Sequence, residues 1–333
     1  MNDKKTTAPG VTPPGLFSSL AKGFNSIAQN IELILFPLVF DLLLWFGPHV
    51  RLRSLIQPVV DQMSANLSDF NQTEMTNFIQ ASNEMFAYIQ EHFNLVTSLQ
   101  TFPIGIPSLM TATLPVMNPL GGPLVFEISS FSSVFVMWVG FSLIGLIFGS
   151  WFFLSVSGKS AAERETPDIG HIGEAALQSL LLSLFLFLFI LVLIIPTSLM
   201  LYILTLISPL LAQISIMVMG LIFIWMLIPF VFSPHGIFTH QLTAVKSILV
   251  SLRLVRRYLP GTGLFILMLL LINELLNMLW RVPLETSWLT LVGILGHAFI
   301  STALISSMFF YYRAGIQWME EIINRNVSNE NKA

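Results

Sequence analysis

The chain has 333 residues and a net charge of −3, so it offers no basic surface of the kind that binds nucleic acid. Charged residues make up 10% of it and hydrophobic residues 54%, whereas soluble domains carry roughly 25% charged residues. This composition excludes a soluble fold, and the lack of Cys excludes disulfides and thiol chemistry.

Six apolar runs are candidates for membrane spans, because crossing a bilayer takes about 20 residues in a helix. They cover 31–47, 131–156, 175–207, 210–232, 263–280 and 288–312. The first is short and is interrupted by Pro37 and Asp41. Backbone groups in hydrocarbon must hydrogen-bond to one another, so runs of this length fold as helices. The sequence predicts an all-α polytopic membrane protein with about six transmembrane helices plus amphipathic interfacial helices.

The positions of the basic residues predict the orientation, since Lys and Arg are enriched in cytoplasmic loops. Twelve of the 15 fall on one side of the alternation between spans, and only Arg51, Arg53 and Arg281 fall on the other. We therefore expect a multi-pass protein of the plasma membrane whose N- and C-termini are both cytoplasmic.

The spans divide the chain into five regions. We expect a disordered cytoplasmic tail at 1–14, and a juxtamembrane helix with the first span at 15–47. An extracytoplasmic segment at 48–130 holds an amphipathic helix and a Pro/Gly-rich loop. A five-span bundle with a basic interfacial helix follows at 131–312, and 313–333 is a cytoplasmic tail.

The extracytoplasmic segment carries an apolar stripe at helical spacing, formed by Phe78, Met85, Ile89, Phe93 and Val96. This stripe needs a partner, which is the outer membrane surface, a second helix near 59–70, or another chain. Residues 62–100 are therefore a candidate site for a protein partner. The prolines of 102–123 forbid a long regular helix, and we expect this loop to fold over the mouth of the bundle or to dip into the interface.

Two cytoplasmic segments are expected to lie on the membrane as helices. The first precedes the first span and has an apolar stripe of Phe17, Leu20, Phe24 and Ile27. The second, 237–259, sets an apolar stripe against the cations Lys246, Arg253, Arg256 and Arg257. At about 1 kcal/mol per cation, these four add roughly 4 kcal/mol of attraction to an anionic leaflet. The alternative is purely topological, with the charges keeping this loop inside.

Ionisable residues within spans are costly, at about 2.5–3.5 kcal/mol for a mid-helix charge. Asp41, Glu274 and His297 lie roughly 9–14 Å from the outer ends of their spans, given a rise of about 1.5 Å per residue. Asn273 and Asn277 flank Glu274 on the same side of the fifth helix. These five residues form a candidate polar cluster that binds a cation, a proton or a lipid headgroup. The alternative is hydrogen bonding between helices that fixes their register.

Motifs for enzyme chemistry are missing, since the sequence has no G-x-x-x-x-G-K-[ST], no H-E-x-x-H and no G-x-S-x-G. We predict no catalytic residue, no metal site and no cofactor.

In the second span, Gly145 and Gly149 have the spacing that permits close helix approach, within the chain or in a dimer.

The run 244–257, AVKSILVSLRLVRR, has the character of an elbow helix and is followed directly by two spans. In this respect residues 233–313 resemble the membrane-anchor domain of bacterial glycerophosphodiester phosphodiesterases and related families of uncharacterised function. The resemblance covers about a quarter of the chain. It implies a six-helix bundle with an interfacial helix and no activity, and the long segment 48–130 departs from it.

These features predict a non-enzymatic multi-pass membrane protein that acts as a scaffold or accessory subunit, or handles lipid. Its expected partners are the lipid bilayer and anionic lipids at the cytoplasmic face, with no nucleic acid. The alternative is a small transporter or channel that uses the outer-leaflet polar cluster. Convergence of Asp41, Glu274 and His297 on a water-accessible cavity would favour the transporter.

Overall fold

The structure is a computed structural model that describes residues 12–68, 73–161 and 169–330, and this part of the chain is mostly helical. Most of the predicted N-terminal tail lies outside the described residues. In chain order the elements are α1 (Leu16–Gln29), α2 (Leu35–Phe46), β1 (His49–Arg51), α3 (Arg53–Ser68), α4 (Thr73–His92), α5 (Leu109–Thr113), β2 (Val125–Glu127), α6 (Phe131–Ser160), α7 (Ile169–Ile207), α8 (Pro209–Leu227), α9 (Ser233–His240), α10 (Ala244–Arg257), α11 (Leu259–Trp280) and α12 (Thr290–Glu330). Short 3₁₀ turns cover Ile31–Ile34, Leu95–Leu99 and Ile228–Phe230.

Five helices of the described chain are long and apolar enough to cross a membrane: Phe131–Ser160, Ile169–Ile207, Leu210–His240, Leu259–Trp280 and Thr290–Arg325. A sixth span is present if Leu16–Gln29 and Ile31–Phe46, which are broken at Asn30, count as one. The predicted all-α polytopic fold is thus confirmed. Its first span is the weakest, because the 12 residues of α2 extend only about 18 Å against a hydrocarbon core of about 30 Å.

The chain forms two compact units. The first unit comprises Ile31–Phe152 and Asn273–Thr302, and the second unit comprises Met1–Asn30, Phe153–Ile272 and Ala303–Ala333. In the first unit, β1 and β2 pair in parallel, with His49 opposite Val125. Helix α3 packs against α4, which corresponds to the second-helix partner that the sequence allowed. Met85 of the apolar stripe is nevertheless 54% exposed.

In the second unit, α7 packs along α8, and α9 packs against α10. Helix α1 buries a face of small residues, because Ser19, Gly23 and Ser26 are buried together with Ile27. A Cβ on Gly23 would lie 2.5 Å from the backbone nitrogen of Ser307, so only glycine permits this approach. Of the predicted stripe, Ile27 belongs to this buried face, whereas Phe17 is 79% exposed.

The predicted interfacial helix 237–259 is wrong as one continuous element. Helix α9 ends at His240. The next residue, Gln241, has a left-handed φ of 51° and its N–H bonds to the Gly236 carbonyl, a common way to terminate a helix. Helix α10 begins at Ala244 and buries Ser247, Ser251, Leu254 and Val255. The large apolar side chains Val245 and Leu249 stay exposed on it.

Candidate functional site

Asp41 lies on α2 and is fully buried within the first unit. Its carboxyl group accepts hydrogen bonds from Ser108 Oγ at 2.5 Å, from the Leu109 N–H at 3.1 Å and from the Met110 N–H at 3.0 Å. Ser108 is the N-cap of α5 and accepts in turn from the Thr111 N–H. The Pro/Gly-rich loop is thereby fixed to α2.

Three further hydrogen bonds hold the same loop or join the two residues, Glu285 and Trp45, to which it is bonded. The side chain of Glu285 accepts a hydrogen bond from the Val116 N–H at 2.9 Å, and its backbone carbonyl accepts one from Trp45 Nε1 at 3.0 Å. Asn118 Nδ2 donates to the Trp45 carbonyl at 3.2 Å. Sequence reasoning missed Glu285 and Ser108. Ser108 could have been predicted as a helix N-cap, because serine is preferred directly before the first residue of a helix.

The other predicted intramembrane residues form two separate pairs. His297 Nδ1 on α12 donates to Asn277 Oδ1 on α11 at 2.9 Å, and both side chains are buried. Glu274 is exposed and bonds to its neighbour Asn273, whose Nδ2 lies 3.2 Å from Glu274 Oε1. The first pair joins two helices and fixes their register.

Hydrogen bonds among the described residues do not bring the five predicted cluster residues together. Asp41 bonds to the loop, His297 bonds to Asn277, and Glu274 bonds to Asn273. The described residues also contain no group of three His, Asp or Glu side chains placed to hold a metal ion.

An apolar groove of about 470 Å³ lies in the first unit between α2, α6 and the segment that precedes α5. Its two walls are helical faces, with Leu35, Val39 and Leu43 on α2 facing Ile144 and Phe148 on α6. These residues follow one another by four positions, which places each set on one side of its helix. We call this feature the acyl groove below.

The floor of the acyl groove depends on Gly145, because a Cβ there would lie 1.9 Å from the Leu99 carbonyl oxygen. The small-residue spacing on α6 therefore serves contact with a loop of the same chain. At one end, Phe36 meets Trp151 edge-to-face with ring centroids 5.0 Å apart, and Glu32 provides a carboxylate. A trough lined by aliphatic and aromatic groups with one acidic end has the chemistry of an amphiphile site.

The basic residues of α10 all lie on its exposed side. Lys246, Arg253, Arg256 and Arg257 are exposed, as are the apolar residues Val245 and Leu249. The helix therefore presents cations and aliphatic groups together, away from its buried face.

In comparisons with known proteins, no family model, no curated protein and no solved structure matches the chain. The resemblance of residues 233–313 to membrane-anchor domains stays a prediction.

Proposed function

We propose that this protein is a non-enzymatic membrane component that handles lipid, holding an acyl chain in the acyl groove. The observation that carries the proposal is the groove itself, whose walls are apolar along α2 and α6. Its volume of about 470 Å³ falls within the roughly 300–1,000 Å³ typical of ligand sites. Because its walls belong to apolar helices, the surrounding medium is bilayer, and its natural occupant is a lipid tail.

Chemistry at the end of the groove supports the same proposal. Glu32 lies at that end, while Phe36 and Trp151 form an aromatic pair beside it. Trp is enriched at the boundary between hydrocarbon and headgroups, so the end of the groove at Trp151 suits the point where a lipid becomes polar. A scaffold role would not require such a trough.

The transporter alternative has less support. A polar path through the bundle needs ionisable groups that face one another, but Asp41 is fully engaged with backbone and Ser108 donors. His297 is paired with Asn277, and Glu274 is exposed. These arrangements suit fixed helix contacts better than a route for an ion.

Photo-crosslinking tests the proposal with the full chain in bilayers that contain a phospholipid bearing a diazirine in its acyl chain. Crosslinks should concentrate on Val39, Leu43, Ile144 and Phe148. Val39→Phe fills the groove and should lower crosslinking at Phe148 several-fold. The matched control is Val192→Phe on α7, since Val192 is 70% exposed and Val39 is 61% exposed. Equal labelling of every exposed apolar face, or no effect of Val39→Phe, would show that the groove is ordinary lipid-facing surface.

The orientation belongs to the proposal as well. We place both termini in the cytoplasm and the segment 48–130 outside, in a plasma membrane, because the basic residues divide in that way. The chain has no Cys, so Ser82→Cys and Thr12→Cys each create a single labelling site. An impermeant maleimide applied to whole cells should label Ser82→Cys alone, and the reverse result would invert the topology.

A further inference from the structure

A second cavity, of about 600 Å³, lies in the first unit where β1 leads into α3. Arg51 and Arg53 line it from this junction, Asp61 lines it from α3, and Gln90 and Glu91 line it from α4. The cavity thus holds two cations and two carboxylates, whose formal charges cancel. We call it the mixed-charge cavity.

Its charged groups do not neutralise one another. In the described part of the chain, Arg51, Arg53 and Glu91 form no ion pair, and Asp61 bonds only to Gln57 Nε2 at 2.8 Å. Opposite charges that line one cavity without pairing leave their hydrogen-bonding capacity to whatever enters it.

One buried polar atom at the cavity lacks a partner among the described residues. Arg51 Nε is buried without an acceptor, and a buried donor in this state costs about 1–3 kcal/mol. Gln90 is 7% exposed as a whole residue and also lines the cavity. Buried polar side chains are rarely left in this state unless a ligand or solvent completes them.

We infer that the mixed-charge cavity binds a zwitterion that carries a phosphate or carboxylate and a primary amine. The guanidinium groups of Arg51 and Arg53 bind the anionic end, since a planar fork of N–H donors matches phosphate and carboxylate oxygens. The carboxylates of Asp61 and Glu91 bind the ammonium end, and Gln90 donates to or accepts from the ligand between them. This site is separate from the acyl groove and does not depend on the proposed function.

The position of the cavity allows two sources for this ligand. Arg51 is five residues beyond the end of α2, so it lies at most about 17 Å from it in extended chain. The headgroup of a zwitterionic phospholipid is within that reach, because headgroup layers add about 5–8 Å on each side of the hydrocarbon. A free zwitterion in solution offers the same chemistry. The basic residues between α2 and α6 and between α11 and α12 are Arg51, Arg53 and Arg281. Arg51 and Arg53 line this cavity, and Arg281 does not.

Calorimetric titration of the purified full chain in detergent tests the inference. The probes are phosphoethanolamine, inorganic phosphate and ethanolamine, together with short-chain phosphatidylethanolamine and phosphatidylglycerol. At least one phosphoethanolamine compound should bind about tenfold tighter than phosphate or ethanolamine, and short-chain phosphatidylglycerol should bind more weakly than phosphatidylethanolamine. Tighter binding of the lipid than of the free headgroup assigns the site to a lipid, and equal binding assigns it to a free zwitterion.

Variants locate the binding. Arg53→Gln and Glu91→Gln change exposed side chains and should each weaken binding about tenfold, since each removes a hydrogen bond between charged groups. Arg281→Gln is the matched control and should bind as the wild type does. The inference is overturned if neither phosphoethanolamine compound binds, if phosphate or ethanolamine alone binds as tightly, or if phosphatidylglycerol equals phosphatidylethanolamine. It is also overturned if Arg281→Gln weakens binding as much as Arg53→Gln does.

Discussion

Asp41 and Ser108 lie 67 residues apart in the sequence and meet in a buried hydrogen bond of 2.5 Å between Oδ1 and Oγ. Two backbone N–H groups at the start of α5 bond to the same carboxyl group. The cost of burying this group is thus offset by three donors. Asp41, one of the five residues of the candidate polar cluster, thus anchors the Pro/Gly-rich loop.

The anchoring role predicts the effect of Asp41→Ala. The substitution leaves the Leu109 and Met110 N–H groups buried without an acceptor, at about 1–3 kcal/mol each. We expect the free energy of unfolding in mild detergent to fall by about 3 kcal/mol or more. Ser108→Ala should cost about 1 kcal/mol. The control is Glu274→Ala at an exposed site, expected within about 0.5 kcal/mol of the wild type. Unchanged stability of Asp41→Ala would contradict the anchor.

Three glycines of α6 form a graded series of close approaches. A Cβ would lie 1.9 Å from the Leu99 carbonyl oxygen at Gly145 and 2.9 Å from the Ile104 carbonyl oxygen at Gly149, whereas at Gly140 nothing lies within 4 Å. Gly145→Ala should therefore destabilise by about 1–3 kcal/mol, Gly149→Ala by less, and Gly140→Ala not at all. Thermal unfolding of the three variants in one detergent gives the order. Equal effects at all three positions would contradict it.

Sequence patterns predicted the spans well because apolar length is a local property. The starts of α6 and the ends of α7 and α11 agree with the predicted runs. Helix α12 continues to Glu330, beyond the predicted span end at 312, because a helix that leaves hydrocarbon keeps its backbone bonds while its sequence turns polar. Apolar length cannot detect that continuation.

The partners of polar residues could not be predicted in the same way. Depth along a helix placed Asp41, Glu274 and His297 at similar levels, but depth does not fix the direction in which a side chain points. The hydrogen-bond donors to Asp41 lie in a loop, at Ser108, Leu109 and Met110, and a loop has no periodic signal in the sequence. The acyl groove likewise arises from two helix faces and a glycine that are distant in sequence.

The buried pair His297 and Asn277 should show a measurable interaction energy. Hydrogen bonds between membrane helices average about 0.6 kcal/mol in double-mutant cycles and reach about 1.7 kcal/mol. We expect a coupling in that range from the cycle of His297→Phe and Asn277→Leu, measured by reversible unfolding. Pairing His297→Phe with Glu274→Leu supplies the control and should give a coupling near zero. Equal couplings in the two cycles would show that His297 also senses Glu274.

The exposed cations of α10 predict a preference for anionic lipid. Replacing Lys246, Arg253, Arg256 and Arg257 together with Gln removes attraction of about 1 kcal/mol per cation near an anionic surface. Native mass spectrometry of the purified chain should show at least about a tenfold loss of bound phosphatidylglycerol relative to phosphatidylcholine. Arg281→Gln serves as a single-charge control. If the fourfold variant keeps the lipid ratio of the wild type but inserts with inverted topology, these cations set the topology and do not select anionic lipid.

His49 in β1 gives the protein a pH dependence. Burial lowers the pKa of His49 below its ordinary value of 6.5, Arg51 acts in the same direction, and the Leu44 carbonyl and Glu285 oppose them. The unfolded chain therefore binds more protons below about pH 6.5, and the free energy of unfolding falls as pH decreases through that value. His49→Gln should flatten the fall in melting temperature between about pH 7.5 and 5. Identical slopes for the wild type and His49→Gln would mean that His49 protonates as readily when folded as when unfolded.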